Sequence, residues 1–172
     1  MQNVFGGIKN LFQSNEKDEK EKEEKQYMKF NYDLHKTDQE GRNVIHRTCF
    51  NLKRDIVQNL LLQMKDSNLI NSLDIYGNSP LILASKKFVP LNKKHAIRSR
   101  KAIMQALCEK GANVDILQVQ NRWSAFHWLC YNGDYESLKM LYFRNPLYYT
   151  PDKEGNFAID IAGLKVSITL FQ

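Results

Sequence analysis

Asp74-Ile75-Tyr76-Gly77-Asn78-Ser79-Pro80-Leu81-Ile82 is the stretch whose reading decides the fold, because three other segments align beneath it. They are residues 38–46, 119–127 and 152–160, with 36, 45 and 33 residues between successive starts. Self-similarity at such a period marks a repeat array, in which each unit buries its apolar face against the next. The segments differ in instructive ways. Gly41, Gly77 and Gly155 occupy the same place, while Arg122 stands there in the third segment. That turn must therefore adapt or hold a non-glycine residue at unusual dihedrals. The first interval carries about three extra residues near 66–68. The second carries about twelve, most of them in 88–98, and the expectation is that both are loops.

Between the aligned segments the apolar residues recur at helical spacing. Val44, Ile45 and Cys49 pair with Ile56, Val57, Leu60 and Leu61. Leu81, Leu83 and Ala84 pair with Ile103, Met104, Leu107 and Cys108. Phe126, Leu129 and Cys130 pair with Leu138, Leu141 and Tyr142. Gly133-Asp134 reads as the tight turn inside the third pair. Residues 157–163 read as the first helix of a fourth unit, which has room for only about two further helical turns.

Ser79-Pro80-Leu81-Ile82-Leu83-Ala84, Ser124-Ala125-Phe126-His127-Trp128-Leu129-Cys130 and Gly111-Ala112-Asn113-Val114-Asp115 carry a resemblance to the ankyrin-repeat family, covering roughly residues 33 to 172. Asp160 departs from the pattern, standing where the family keeps a histidine. The resemblance implies an all-α ankyrin-repeat solenoid of about three full repeats plus a partial C-terminal one. It implies a non-catalytic protein–protein interaction module, a scaffold or structural subunit of a larger intracellular assembly. The family binds through turn tips and inner, concave helices. Here those places hold Tyr76, Asn78, Lys86 and Lys87, then Gln120, Asn121, Trp123, Tyr131 and Asn132, then Lys153, Glu154 and Asn156. Trp123 is the first residue to test, since Trp and Tyr concentrate binding energy. The competing reading folds its ring onto Trp128 or the neighbouring turn.

Outside the array, residues 1–14 place Val4, Phe5, Ile8, Leu11 and Phe12 on one helical stripe suited to docking in a partner's groove. Residues 15–32 form a charged linker containing the run Glu-Lys-Asp-Glu-Lys-Glu-Lys-Glu-Glu-Lys at 16–25, which cannot bury a core face. The terminal Ile168, Leu170 and Phe171 are apolar for an exposed end, so a partner or further chain is expected to cover them. Three cysteines without a CxxC read as reduced thiols in an intracellular, cytoplasmic setting, with cytoskeletal or axonemal complexes as candidate hosts.

The chain carries a formal charge of +6, which favours acidic partners. From residue 75 to 108 there is no acidic residue, whereas Lys86, Lys87, Lys93, Lys94, Arg98, Arg100 and Lys101 all fall there. This basic patch is the basis of a second functional class, an electrostatic adaptor for anionic lipid or nucleic acid; acidic protein tails would suit it too. A third reading is a regulatory fragment of a larger enzyme or channel. His46, Cys49, His127 and Cys130 have zinc-ligand chemistry, but the two pairs lie two repeats apart, roughly 20 Å at ~10 Å per helix layer, against metal bonds near 2.0–2.3 Å. No catalytic motif, metal site, cofactor or small-molecule substrate is expected.

Overall fold

The computed structural model describes residues 33–64, 66–144, 147 and 149–163. The expectations for residues 1–14, for 15–32 and for the apolar terminus at 168–171 lie outside these. Among the described residues the regular structure is entirely helical.

Each repeat opens with a turn built by one side chain. Asp38 Oδ1 accepts from the backbone N–H groups of Glu40 and Arg42, both at 3.0 Å. Asp74 Oδ1 does the same for Tyr76 at 3.0 Å and Asn78 at 2.8 Å, and Asp152 Oδ1 for Glu154 and Asn156, both at 2.9 Å. A short carboxylate is what such an Asx-type turn requires. The backbone closes each turn from the first residue to the carbonyl four positions on, at 3.1, 3.0 and 2.9 Å. The intervening glycine takes a positive φ, +78° at Gly77.

The third turn departs from this plan and corrects the alignment. It starts at Gln118, not Val119, because the Gln118 N–H closes on the Trp123 carbonyl, five positions on, at 3.0 Å. Both expected adaptations are present: one residue is added, and Arg122 takes φ +60°. Asn121 Oδ1 replaces the missing carboxylate, accepting from the Trp123 N–H at 3.0 Å.

The turns feed three first helices: α1 (Val44–Phe50), α3 (Pro80–Lys86) and α5 (Ala125–Asn132). Asn43, Ser79 and Ser124 cap them with side-chain oxygens, satisfying N–H groups that the helix cannot. Pro80 at the first helical position of α3 brings the right φ and no stranded donor. A fourth first helix occupies residues 158–163, and Asp160 Oδ2 accepts from the Phe157 N–H at 2.9 Å. His46 and His127 receive the N-cap N–H through Nδ1 in the same way, at 3.3 and 3.2 Å. The replacement of His by Asp in the fourth unit thus keeps the acceptor.

Short loops return the chain into second helices: α2 (Arg54–Gln63), α4 (Lys94–Glu109) and α6 (Tyr135–Tyr142). Gly133 ends α5 at φ +65° and Asp134 begins α6, as the Gly-Asp pair leads one to expect. First helices stack on first helices, α1 on α3 on α5, and second helices on second helices, α2 on α4 on α6. The turns are joined in the same order: Ile75 N–H to the Glu40 carbonyl, Val119 to Tyr76, and Lys153 to Asn121, at 3.0, 3.2 and 3.0 Å.

The core lies between the two helix layers. Ile45, Leu81, Leu83, Ile103, Met104, Leu107, Leu129 and Leu141 are all essentially inaccessible. Phe126, Leu138 and Cys108 are only partly covered, and Tyr142, expected inside, is 52% exposed. The insertions are not simply loops. Residues 67–71 form a 3-10 turn (Ser67–Asn71) capped by Asp66. Residues 94–98 of the second insertion lengthen α4 to 16 residues, against 10 in α2 and 8 in α6, whereas 88–93 form the connection before it.

His46 Nε2 reaches the backbone carbonyls of Ser72 at 3.0 Å and Asn78 at 3.2 Å. One capping side chain therefore ties its own repeat to the next. Burial lowers the pKa of His46, opposed by the Ser72 backbone and the Asp74 charge. Burial lowers that of His127 too, opposed by the Asp152 charge and the Thr150 backbone. A folded pKa below the unfolded value of about 6.5 means that only the unfolded chain takes up the proton as pH first falls through 6.5. The stability is complete above that value and declines below it, by up to about 1.4 kcal/mol per pH unit for each histidine until the folded pKa is reached. Urea midpoints measured at pH 5.5 and 7.5 should therefore differ, and His46→Gln should reduce the difference. Equal midpoints would contradict the buried, neutral imidazoles.

Candidate interaction face

Equivalent positions in the three first helices lie side by side, so any residue they leave uncovered becomes part of a stripe. The last residue of α1, Phe50, corresponds to Lys86 in α3 and Tyr131 in α5, seven positions after each cap. Phe50 and Tyr131 are each 38% exposed and Lys86 is half-buried. The stripe is interlocked. Lys86 Nζ lies 5.2 Å from the centre of the Trp128 ring, and Lys87 Nζ lies 5.2 Å from that of Phe50. Placing ammonium groups on aromatic faces restrains them while leaving the charge available.

Trp123 joins this stripe to the turns. Its ring meets Trp128 edge-on at 4.6 Å and Tyr131 at 5.5 Å. Its Nε1–H donates to Asp152 Oδ2 at 3.1 Å, in the following turn. The same place in the first turn holds Arg42, whose Nε donates to Asp74 Oδ2 at 3.0 Å. In the second turn it holds Asn78, whose Oδ1 accepts from Gln118. Every turn thus grips the first residue of the next through the position before its helix cap. Burial would raise the carboxyl pKa of Asp74 and Asp152, but the hydrogen bonds they accept hold both below the usual carboxylate range.

The residues expected at an interface divide accordingly. Tyr76, Lys86, Lys87, Gln120, Asn121, Trp123 and Tyr131 are exposed or half-exposed, with Arg42 over the Tyr76 ring at 6.0 Å. Lys153 and Glu154 are exposed and Asn156 is half-buried. Asn78 and Asn132 are corrections. Asn78 is fully buried, donating to the Asp74 carboxylate at 2.8 and 3.0 Å. Asn132 is 6% exposed and donates to the Ser85 carbonyl at 2.8 Å. The amide N–H groups of both donate inside the array, and burial keeps both side chains from a partner. Trp123 combines both readings: it packs on Trp128 and bonds the next turn while remaining half-exposed.

Arg100 is the third correction. It does not belong to an exposed basic patch: it is fully buried, with Nη1 donating to Asp134 Oδ2 at 2.9 Å and Nη2 to the Lys87 carbonyl. Sequence reasoning also missed Phe50 and named Trp128 only as a surface for the Trp123 ring to fold onto. The i, i+3 spacing of Trp128 and Tyr131 was the available signal for a shared face.

No family model matches the chain. Two of the curated proteins that resemble it are the following. Transient receptor potential cation channel subfamily A member 1 of Homo sapiens is 27% identical over 112 residues, covering 65% of this chain and 9% of that protein. The nuclear factor NF-kappa-B p105 subunit of Gallus gallus is 31% identical over 107 residues, covering 60% of this chain and 10% of that protein. Both contain ankyrin repeats. The chain spans about a tenth of the length of these relatives.

Cys49 and Cys130 are buried, and burial pushes the Cys130 thiol up to about 11 and that of Cys49 further still, away from the thiolate a nucleophile needs. Among the described residues no three His, Cys, Asp or Glu side chains converge as metal ligands, and no helix is long and apolar enough to cross a membrane.

Proposed function

We propose that the chain is a short ankyrin-repeat array of three full repeats and a partial fourth, and that it works as a non-catalytic protein-binding module. The observation that carries this reading is the in-register stacking of turn on turn and first helix on first helix, which assembles Phe50, Lys86, Trp123, Trp128 and Tyr131 into one face. Trp and Tyr are enriched among the energetic centres of protein interfaces. The likeness to ankyrin-containing regions of two much longer proteins supports the same reading. The partner's complementary surface should offer carboxylates to Lys86 and Lys87 and an apolar or aromatic group to Tyr131. A role as scaffold or structural subunit of a cytoplasmic assembly is part of this reading.

The test is affinity capture by the full chain and by a Lys86→Glu/Tyr131→Ala variant. Both positions are at least partly exposed, so the fold should persist, as circular dichroism can check. Specific partners of the unaltered chain should fall at least about tenfold in the variant, since interface hot spots contribute about 2 kcal/mol or more. Unchanged capture by a folded variant would rule this face out.

A further inference from the structure

The segment that leads from α3 into α4 carries a surface unlike the rest of the array. A turn closed by the Lys93 N–H on the Pro90 carbonyl, at 2.9 Å, forms its tip. Val89 is buried beneath and anchors it, whereas Phe88 and Leu91 stand outward at 61% and 65% exposure. Lys93, Lys94 and Arg98 follow at once, all exposed. None of these three makes an ion pair with a described residue. Lys94 and Arg98 lie one helical turn apart and line a groove of about 510 Å³. The acid of that groove, Glu136, is already engaged by Lys101 at 2.8 Å. The root of the segment is fixed, because the buried Arg100 holds the Lys87 carbonyl and Asp134 together.

We propose that this surface docks the protein on an anionic lipid membrane. Leu91 and Phe88 enter the interfacial layer, and Lys93, Lys94 and Arg98 meet the headgroup phosphates and carboxylates. Unneutralised cations on a segment with no acid from residue 75 to 108 supply long-range attraction to a negative surface. That charge alone would suit any polyanion. The two large apolar side chains held out beside the cations distinguish the lipid surface, since they gain free energy only where apolar area leaves water. Single-stranded nucleic acid draws on several stacking rings, and the segment offers Phe88 alone; duplex binding through phosphate contacts would gain nothing from the outward apolar pair. This docking uses none of the five residues of the proposed protein-binding face and stands independently of it.

The experiment is co-sedimentation of the full chain with vesicles of phosphatidylcholine alone or with added phosphatidylserine, across a salt series. Binding should require phosphatidylserine and weaken with salt. Lys93→Glu/Lys94→Glu/Arg98→Glu should lower it at least about 100-fold, since each basic residue near such a surface is worth about fivefold. Phe88→Ser/Leu91→Ser should lower it roughly tenfold through lost apolar burial. All variants change exposed side chains, so an unchanged circular dichroism spectrum is expected. Absence of binding at low salt would overturn the proposal, as would equal binding by the folded variants. So would the result that the Phe88/Leu91 variant binds normally while a soluble acidic peptide or polyphosphate competes fully, because the site would then be a general polyanion site.

Discussion

Arg100→Met should destabilise the protein by about 3–5 kcal/mol, read as a fall in the denaturant midpoint at unchanged slope. The guanidinium is inaccessible, burial lowers its pKa with the Asp134 charge opposing, and its Nε has no hydrogen-bond partner. Desolvating such a group is costly, so the pair adds little net stability relative to an apolar replacement. Removing only the cation is a different matter, because Asp134 is then left buried and uncompensated. Asp134 also caps α6, accepting from the Ser137 N–H at 3.1 Å and the Ser137 hydroxyl at 2.9 Å. Arg100→Met combined with Asp134→Ser keeps a capping oxygen and removes the stranded charge, so the double variant should be more stable than Arg100→Met alone. A cost of Arg100→Met below about 1 kcal/mol would mean that the pair is solvated.

Leu81→Ala should cost about 2–5 kcal/mol, by lost burial and by the cavity left behind. Leu81 is 1% exposed on α3, the middle first helix, which packs against α1, α4 and α5. Its loss therefore reaches two neighbouring repeats, because in a stacked array each unit's stability includes its interfaces. The matched control is Leu62→Ala on α2, at 77% exposure, where a change within about 0.5 kcal/mol is expected. Comparable costs at the two positions would contradict the assignment of the core.

The contrast between these two leucines shows what the sequence made legible. The helix pairs were readable because apolar residues at i, i+3 and i+4 have little alternative but a buried face. The turns were readable where Asp begins them and Gly supplies the positive φ, as at Asp74 and Gly77. The third turn was misplaced by one residue because Gln118 cannot fold back as aspartate does, so nothing local marked its start. Leu52, at φ +55°, occupies in the first helix pair the left-handed position that Gly133 marks in the third, with no sequence signal. Arg100 looked like one more surface cation. Its partner Asp134 lies 34 residues away and reaches it only through the stacking of α6 on α4. Asn78 and Asn132 misled for the same reason: a polar side chain buried inside the array, bonded to Asp74 and Gln118 in one case and to the Ser85 carbonyl of the preceding repeat in the other, looks in sequence like one offered to a partner.

The interaction face exists only if neighbouring helix pairs support one another, and hydrogen exchange of the Leu81→Ala variant tests that support most directly. Exchange should quicken not only in α3 and α4 but also in α1 and α5, whose wall Leu81 supplies. Faster exchange confined to α3 and α4, with α1 and α5 protected as before, would contradict the stacked array and the shared face built on it.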